Sequence, residues 1–194
     1  MFLNFPSRNW ARKCSFSVTW GFSIVVQRTG PSMSLSDVEI RAAVRVGEFA
    51  VRPKIARLNP GGVDLRIGRG TTLQSREQRL VASLERVELS KNLLGILHIR
   101  SSLAREGVFA SLALVDPGFR GQLTVSLYNA GERPVNIRRG ERFIQLSLFR
   151  LGKPAREGYE GRYQDSQGIV SSKRHRKSYS RRMESIIQGS TGRE

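Results

Sequence analysis

Leu114-Val115-Asp116-Pro117-Gly118-Phe119-Arg120-Gly121-Gln122-Leu123-Thr124-Val125-Ser126-Leu127-Tyr128-Asn129 joins a turn to a strand, and this join decides the fold. Leu123, Val125 and Leu127 alternate with Thr124, Ser126 and Tyr128, the period-two pattern of a strand with two different faces. Ahead of it a lone carboxylate, Asp116, opens a Pro-Gly turn. Further upstream, Ile99-Arg100-Ser101-Ser102-Leu103-Ala104-Arg105 puts two guanidinium forks beside two hydroxyls at the end of an apolar run. Forks and hydroxyls match phosphate oxygens, and a carboxylate in a turn can orient or deprotonate an attacking nucleophile. These are the parts for holding a polyphosphate and aiming a water at it.

The flanking sequence has the same texture. From Phe49 onward, short β-prone runs separated by Gly, Pro and Asn predict strands over 62–67, 86–89, 94–99, 109–115, 122–128, 135–137 and 142–151. Asn129-Ala130-Gly131-Glu132 and Arg138-Arg139-Gly140-Glu141 supply turns at close spacing. The fold class expected is mainly β, a sandwich or jelly-roll-like barrel. One short helix precedes it. Ser34 or Ser36 can cap it, Ser36 and Glu39 form a capping box, and Val38, Ile40, Ala42, Ala43 and Val46 supply an apolar face that ends at Gly47.

At 194 residues with 39% hydrophobic content, the chain fits one domain with extensions. Three parts are expected: an extension over 1–32, a domain over 33–170, and a basic tail over 171–194. Past Gly168 the Ser-rich, basic sequence predicts no fixed fold. The apolar run from Phe16 to Val26 is broken by Ser, Thr and Gly and is too short to span a bilayer, so no membrane association is expected. The first 32 residues are a dispensable extension, or the native start is Met33. The net charge of +17 points to polyanionic partners. Much of it crowds into Lys173, Arg174, Arg176, Lys177, Arg181 and Arg182, which read as a solvated tail or as a weak, salt-sensitive nucleic-acid contact. Cys14 is the single cysteine, so intramolecular disulfides and thiolate metal clusters are excluded and a reducing, cytoplasmic setting fits. His98 and His175 are the only histidines, which argues against a His-ligated metal or a Ser-His-Asp triad. His98, inside an alternating apolar run, reads as structural.

Several segments, taken in order, resemble the motifs of the dUTPase and dCTP deaminase superfamily, from about Met33 to Gly168. Leu35-Ser36-Asp37 is similar to the start of the deaminase branch, and Val63-Asp64-Leu65-Arg66-Ile67-Gly68 to the first family motif. Arg100-Ser101-Ser102-Leu103-Ala104-Arg105 resembles the phosphate-binding second motif in its deaminase-branch form. Val115 to Gly121 resembles the third motif, Gly140-Glu141-Arg142-Phe143-Ile144-Gln145-Leu146 the fourth, and Tyr159-Glu160-Gly161-Arg162-Tyr163-Gln164 the segment that closes over the nucleotide. Two departures bear on the reaction. Deaminases carry a proton-shuttling glutamate where Ser126 stands here, and a Thr-Ala pair where Ser111-Leu112 stand. Serine at 126 looks like the dUTPase pattern.

The resemblance therefore implies an archaeal-type dUTPase of the deaminase branch, which hydrolyses dUTP to dUMP and pyrophosphate. That reaction limits uracil in DNA and supplies dUMP for dTMP synthesis. Asp116 would activate water; Arg100, Ser101, Ser102 and Arg105 would hold phosphate; Phe119, Gln122 and Ser126 would meet sugar and base, with main-chain groups of 122–129 reading uracil. Tyr159, Arg162 and Tyr163 would close the site. Asp64 and Gln145 are possible supports, Asp64 positioning an arginine or water or simply holding its strand. Mg²⁺ would ride on the triphosphate, with no direct protein ligand, and a homotrimer with shared sites is implied. The alternatives are a dCTP deaminase, mono- or bifunctional, and a non-catalytic nucleotide- or nucleic-acid-binding protein.

Overall fold

The computed structural model describes residues 34–174. The expected extension and the tail from residue 175 onward lie outside the described residues. Helix α1 (Asp37–Arg45) begins where the sequence puts it: Glu39 Oε2 accepts from Ser36 N at 2.8 Å while Ser36 Oγ caps Glu39 N. Ile40 and Ala43 are buried, but Val38 and Val46 are exposed, correcting the wider apolar face expected for this helix. At 3.6 residues per turn Val38 lies roughly 200° around the helix from Ile40.

The remaining elements are strands β1 (Phe49–Arg52), β2 (Arg57–Asn59), β3 (Gly62–Arg66), β4 (Thr71–Leu73), β5 (Gln78–Leu89) and β6 (Leu93–Ile99), the one-turn helix α2 (Ser101–Arg105), then β7 (Val108–Ala110), β8 (Leu114–Val115), β9 (Arg120–Asn129), β10 (Val135–Ile137) and β11 (Arg142–Arg150). The fold is mainly β and jelly-roll-like. One sheet runs β1-β5-β9-β7, a second β2-β3-β11-β6-β8, and β10 pairs β4 as a small third. Every ladder is antiparallel. Inward-facing residues of both large sheets, among them Phe49, Leu65, Val87, Leu97, Val125 and Phe143, form one core. Among the described residues no helix is long and apolar enough to cross a membrane.

Three differences from the expected strands have physical causes. Strand β5 starts at Gln78, eight residues before the expected 86, because a bulge between Ala82 and Arg86 interrupts its alternation and turns polar Ser83 and Glu85 inward. Their polarity is satisfied there. Ser83 Oγ donates to Glu85 O (2.7 Å) and accepts from Leu123 N (2.9 Å), while the Glu85 carboxylate takes Arg66 N (2.8 Å) and Nε (2.6 Å) from the opposite sheet. The expected strand 109–115 is two strands, since Ser111 leaves the β7 ladder and β8 joins the other sheet. Residues 169–174, expected to lack a fixed fold, are anchored: Val170 N donates to Thr124 Oγ1 (3.0 Å) and Lys173 N to Tyr163 Oη (3.0 Å).

Phe143 is fully buried between the sheets. Phe143→Ala is expected to lower the unfolding free energy by about 3–5 kcal/mol, the cost of a large core truncation, measured by urea denaturation followed by circular dichroism.

Candidate functional site

The turn that carries Asp116 is shaped by a crossing of main chains. Gly118 has φ +83°, and a Cβ there would lie 2.6 Å from Gly158 Cα; at Gly121 (φ +152°) a Cβ would lie 2.9 Å from Ser166 N. Both positions therefore require glycine. The segment from Gly158 onward crosses here as a strap and is fastened to the turn. Tyr159 N donates to Pro117 O (2.8 Å), Gln164 Nε2 to Gly118 O (3.0 Å), and Arg120 N to Gln164 Oε1 (2.9 Å).

Beneath the strap lies a cleft of about 370 Å³ with apolar walls from Leu80, Leu97, Leu123 and Phe119. Asp116 lines it, half-buried, and among the described residues its carboxylate makes no hydrogen bond or ion pair. Phe119 is buried and meets Tyr159 edge-on, with ring centroids 5.7 Å apart. A larger groove of about 1260 Å³, lined by Arg69, Arg79, Arg138 and Arg139, shares Leu80 and Gln122 with the cleft but, among the described residues, is lined by no acid.

The far end of the cleft is set by the edge of β9. Leu123 N donates toward β5, at Ser83 Oγ, so ladder alternation turns the main-chain groups of Gln122, Thr124 and Ser126 the other way. Strand β7 covers only 127–129 on that side. Ser126 O accepts from Ser111 N (2.8 Å), Ser126 N donates to Ser111 Oγ (3.1 Å), and Gln122 N donates to Ser166 O (2.8 Å). Between these Thr124 lines the cleft, and the same alternation points its N–H and C=O away from β5. Ser126 Oγ accepts from Gln78 Nε2 at 2.6 Å.

The strap occupies other groups that the sequence offers to a ligand. Gln122 Oε1 accepts from Gly168 N (2.6 Å), and its Nε2 donates to Ser83 O and Leu84 O in the bulge. Thr124 Oγ1 takes Val170 N and donates to Gly168 O (3.3 Å). Asp165 is gripped by Arg86 (2.6 Å) and Arg120 (2.8 Å). Hydrogen bonds from Arg120 and then Arg86 hold its carboxyl below the usual 3.8. Arg162 Nη1 donates to Lys173 O (2.7 Å), and the Lys173 ammonium lies over the Tyr163 ring, 5.4 Å from its centroid. Tyr159 and Tyr163 line the cleft, whereas Arg162 is exposed beside it.

The phosphate-type cluster sits elsewhere. Asp64 is buried on β3; Asn59 Nδ2 donates to its Oδ1 (2.7 Å), and its Oδ2 lies 3.2 Å from both Arg100 Nη1 and Arg142 Nη1. Of the roles weighed for Asp64, this geometry supports positioning arginine. Gln145 stands across the ladders from both Asp64 and His98, and His98 faces outward. Ser101, Ser102 and Arg105 are exposed on α2.

Asp116 and Arg100 do not meet within one chain. Val115 pairs with Gly95, and Arg100 follows the end of β6 five residues beyond Gly95, about 16 Å at the rise of an extended strand. Sequence reasoning missed Gln78, Arg86, Arg142 and Asp165 as site-building groups, and of Thr124 it foresaw the main chain but not the hydroxyl that holds Gly168 and Val170. Asp165 carries one signal, a lone acid directly after the closing motif; Gln78 carries none.

Comparison with known proteins matches a dCTP deaminase-like family model to residues 67–151. The chain is 42% identical over 157 residues to the dCTP deaminase of Pyrococcus furiosus, an alignment covering 73% of this chain and 98% of that one. It is 32% identical over 172 residues to the dUMP-forming dCTP deaminase of Aquifex aeolicus, covering 74% and 96%. In structure it is similar to the 2'-deoxycytidine 5'-triphosphate deaminase of Agrobacterium tumefaciens, with a TM-score of 0.53 and 19% identity over 62% of this chain and 48% of that one.

Asp165 tests the fastening of the strap. Its pKa is lowered in the folded chain, so its contribution is present above 3.8 and lost as pH falls below that value. Asp165→Asn at neutral pH, or acid below that range in the unaltered chain, is expected to speed amide exchange at Gly168 and Val170 while core strands stay protected, read by hydrogen-exchange mass spectrometry.

Proposed function

This chain belongs to the dCTP deaminase family, and we propose that within it the reaction is hydrolysis of dUTP to dUMP and pyrophosphate. One observation carries the reading. Where the family resemblance calls for a proton-shuttling glutamate, Ser126 offers only a hydroxyl bonded to Gln78, while among the described residues the Asp116 carboxylate has no hydrogen-bond or ion-pair partner. A hydroxyl with a pKa far above neutral cannot exchange protons with water attacking C4 of cytosine. A free carboxylate can still orient or deprotonate a water.

In the proposed reaction Asp116 directs water at the α-phosphorus. The new bond forms to the water oxygen, the bond to the oxygen bridging the α- and β-phosphorus breaks, and pyrophosphate leaves. Phe119 packs against the deoxyribose, the Thr124 main chain pairs with the ring edge of uracil, and the strap from Tyr159 to Ser166 excludes water. Arg100, Ser101, Ser102 and Arg105 neutralise the triphosphate, the main electrostatic task in such transfers. Mg²⁺ enters as part of the substrate, on phosphate oxygens. Among the described residues no three His, Cys, Asp or Glu side chains gather as a metal cage, and both oxygens of Asp64 are occupied by Asn59 and the arginines.

The separation of Asp116 from Arg100 supports a homotrimer in which one chain supplies the water-directing acid and another the phosphate cluster. Purified chain with Mg²⁺ and dUTP is expected to release pyrophosphate. Inertness toward dUTP with conversion of dCTP to dUTP would instead support the deaminase reading, and inertness toward both a binding protein. Asp116→Asn is expected to lower kcat about 10²–10⁴-fold, measured by pyrophosphate release. Mixed and reassembled Asp116→Asn and Arg100→Ala chains are expected to recover activity that neither has alone. No recovery would rule out sharing between subunits.

A further inference from the structure

We propose that Gln78 fixes the direction of the Ser126 hydroxyl, and that this makes the cleft prefer a pyrimidine with a carbonyl over one with an amino group at the edge read by β9. The inference rests on the preceding reading that the base docks against Thr124.

A serine hydroxyl has one hydrogen to give and two lone pairs to receive with. At the polar end of the cleft the protein itself takes one lone pair of each of two hydroxyls. Gln78 Nε2 donates to Ser126 Oγ at 2.6 Å, and Ser126 N donates to Ser111 Oγ at 3.1 Å. Among the described residues neither hydroxyl donates to a protein acceptor. The third hydroxyl there, Thr124 Oγ1, is spent in both directions on Val170 N and Gly168 O. Two O–H groups beside the open Thr124 edge are thus left as donors.

A ring carbonyl accepts from them without rearrangement. An amino group brings its own hydrogens, so a hydroxyl must turn its remaining lone pair to the ligand, and its hydrogen then has no acceptor there. Gln78 is exposed at the start of β5 and lies outside the cleft lining, so it is a positioning residue that acts through Ser126. Its exposure also makes it replaceable without cost to the core.

The test measures Kd for non-hydrolysable α,β-imido dUTP and α,β-imido dCTP, with Mg²⁺, in the full chain and in Gln78→Ala and Gln78→Glu, with circular dichroism confirming the fold. The unaltered chain is expected to prefer the uracil analogue. In Gln78→Ala the preference falls about fivefold, the worth of one neutral hydrogen bond. In Gln78→Glu it falls further, because an ionised carboxylate takes the Ser126 hydrogen and turns lone pairs to the ligand. That extra loss reverses as pH drops through the carboxyl range near ~4.3, a profile that a merely structural role would not produce. A preference unchanged in both folded variants overturns the inference, as does equal binding of the two analogues by the unaltered chain; pyrophosphate release from dUTP judges the hydrolysis reading separately. Binding of neither analogue overturns both.

Discussion

An unpaired strand edge has to be answered by something, and the edge of β9 is the constraint on which this site is built. Strand β5 satisfies one side of β9 along most of its length, but β7 reaches only the last three residues on the other. The exposed main-chain groups cannot be left buried and dry. Ser111 answers at one point, Ser166 at another, and in the interval between them, under the proposed function, Thr124 meets the base. The apolar walls, the free carboxylate and the strap are all arranged around that interval.

The two glycines of the Asp116 turn serve the same arrangement. Gly118 and Gly121 are small so that the strap can pass within contact of the turn and come down onto β9. Arg120 lies between them and reaches Asp165, while Arg86 reaches the same carboxylate from β5. A motif of seven residues therefore performs three tasks: it presents an acid, admits a crossing chain, and clamps that chain by charge. Asp64 performs a complementary service, a buried anion that keeps two guanidiniums oriented.

Local physics made part of this legible in the sequence. The capping box of Ser36 and Glu39 and the alternation from Leu123 to Tyr128 depend on near neighbours, and α1 and β9 form where those patterns predict. The unpredicted β2 and β4 are three residues each, too short to show a period, and the unpredicted β1 is only four. The start of β5 was hidden because the bulge makes Ser83 and Glu85 core residues, inverting the usual meaning of polarity. Asp116 and the Arg100 cluster were recognisable by residue type and by resemblance. Their separation along β6 was not, because it depends on the pairing of Gly95 with Val115. The bond from Gln78 to Ser126 spans 48 residues and leaves no local trace.

The crossing at Gly118 and Gly158 has a kinetic consequence. Under the proposed function, with the strap fastened at Tyr159, only the chain beyond it would swing away to admit a nucleotide. The freed end stays tethered within a few residues of its docking groups on β9, at an effective concentration in the millimolar range for a short flexible link. Reclosure would then be a local, unimolecular event whose rate does not depend on how much protein is present.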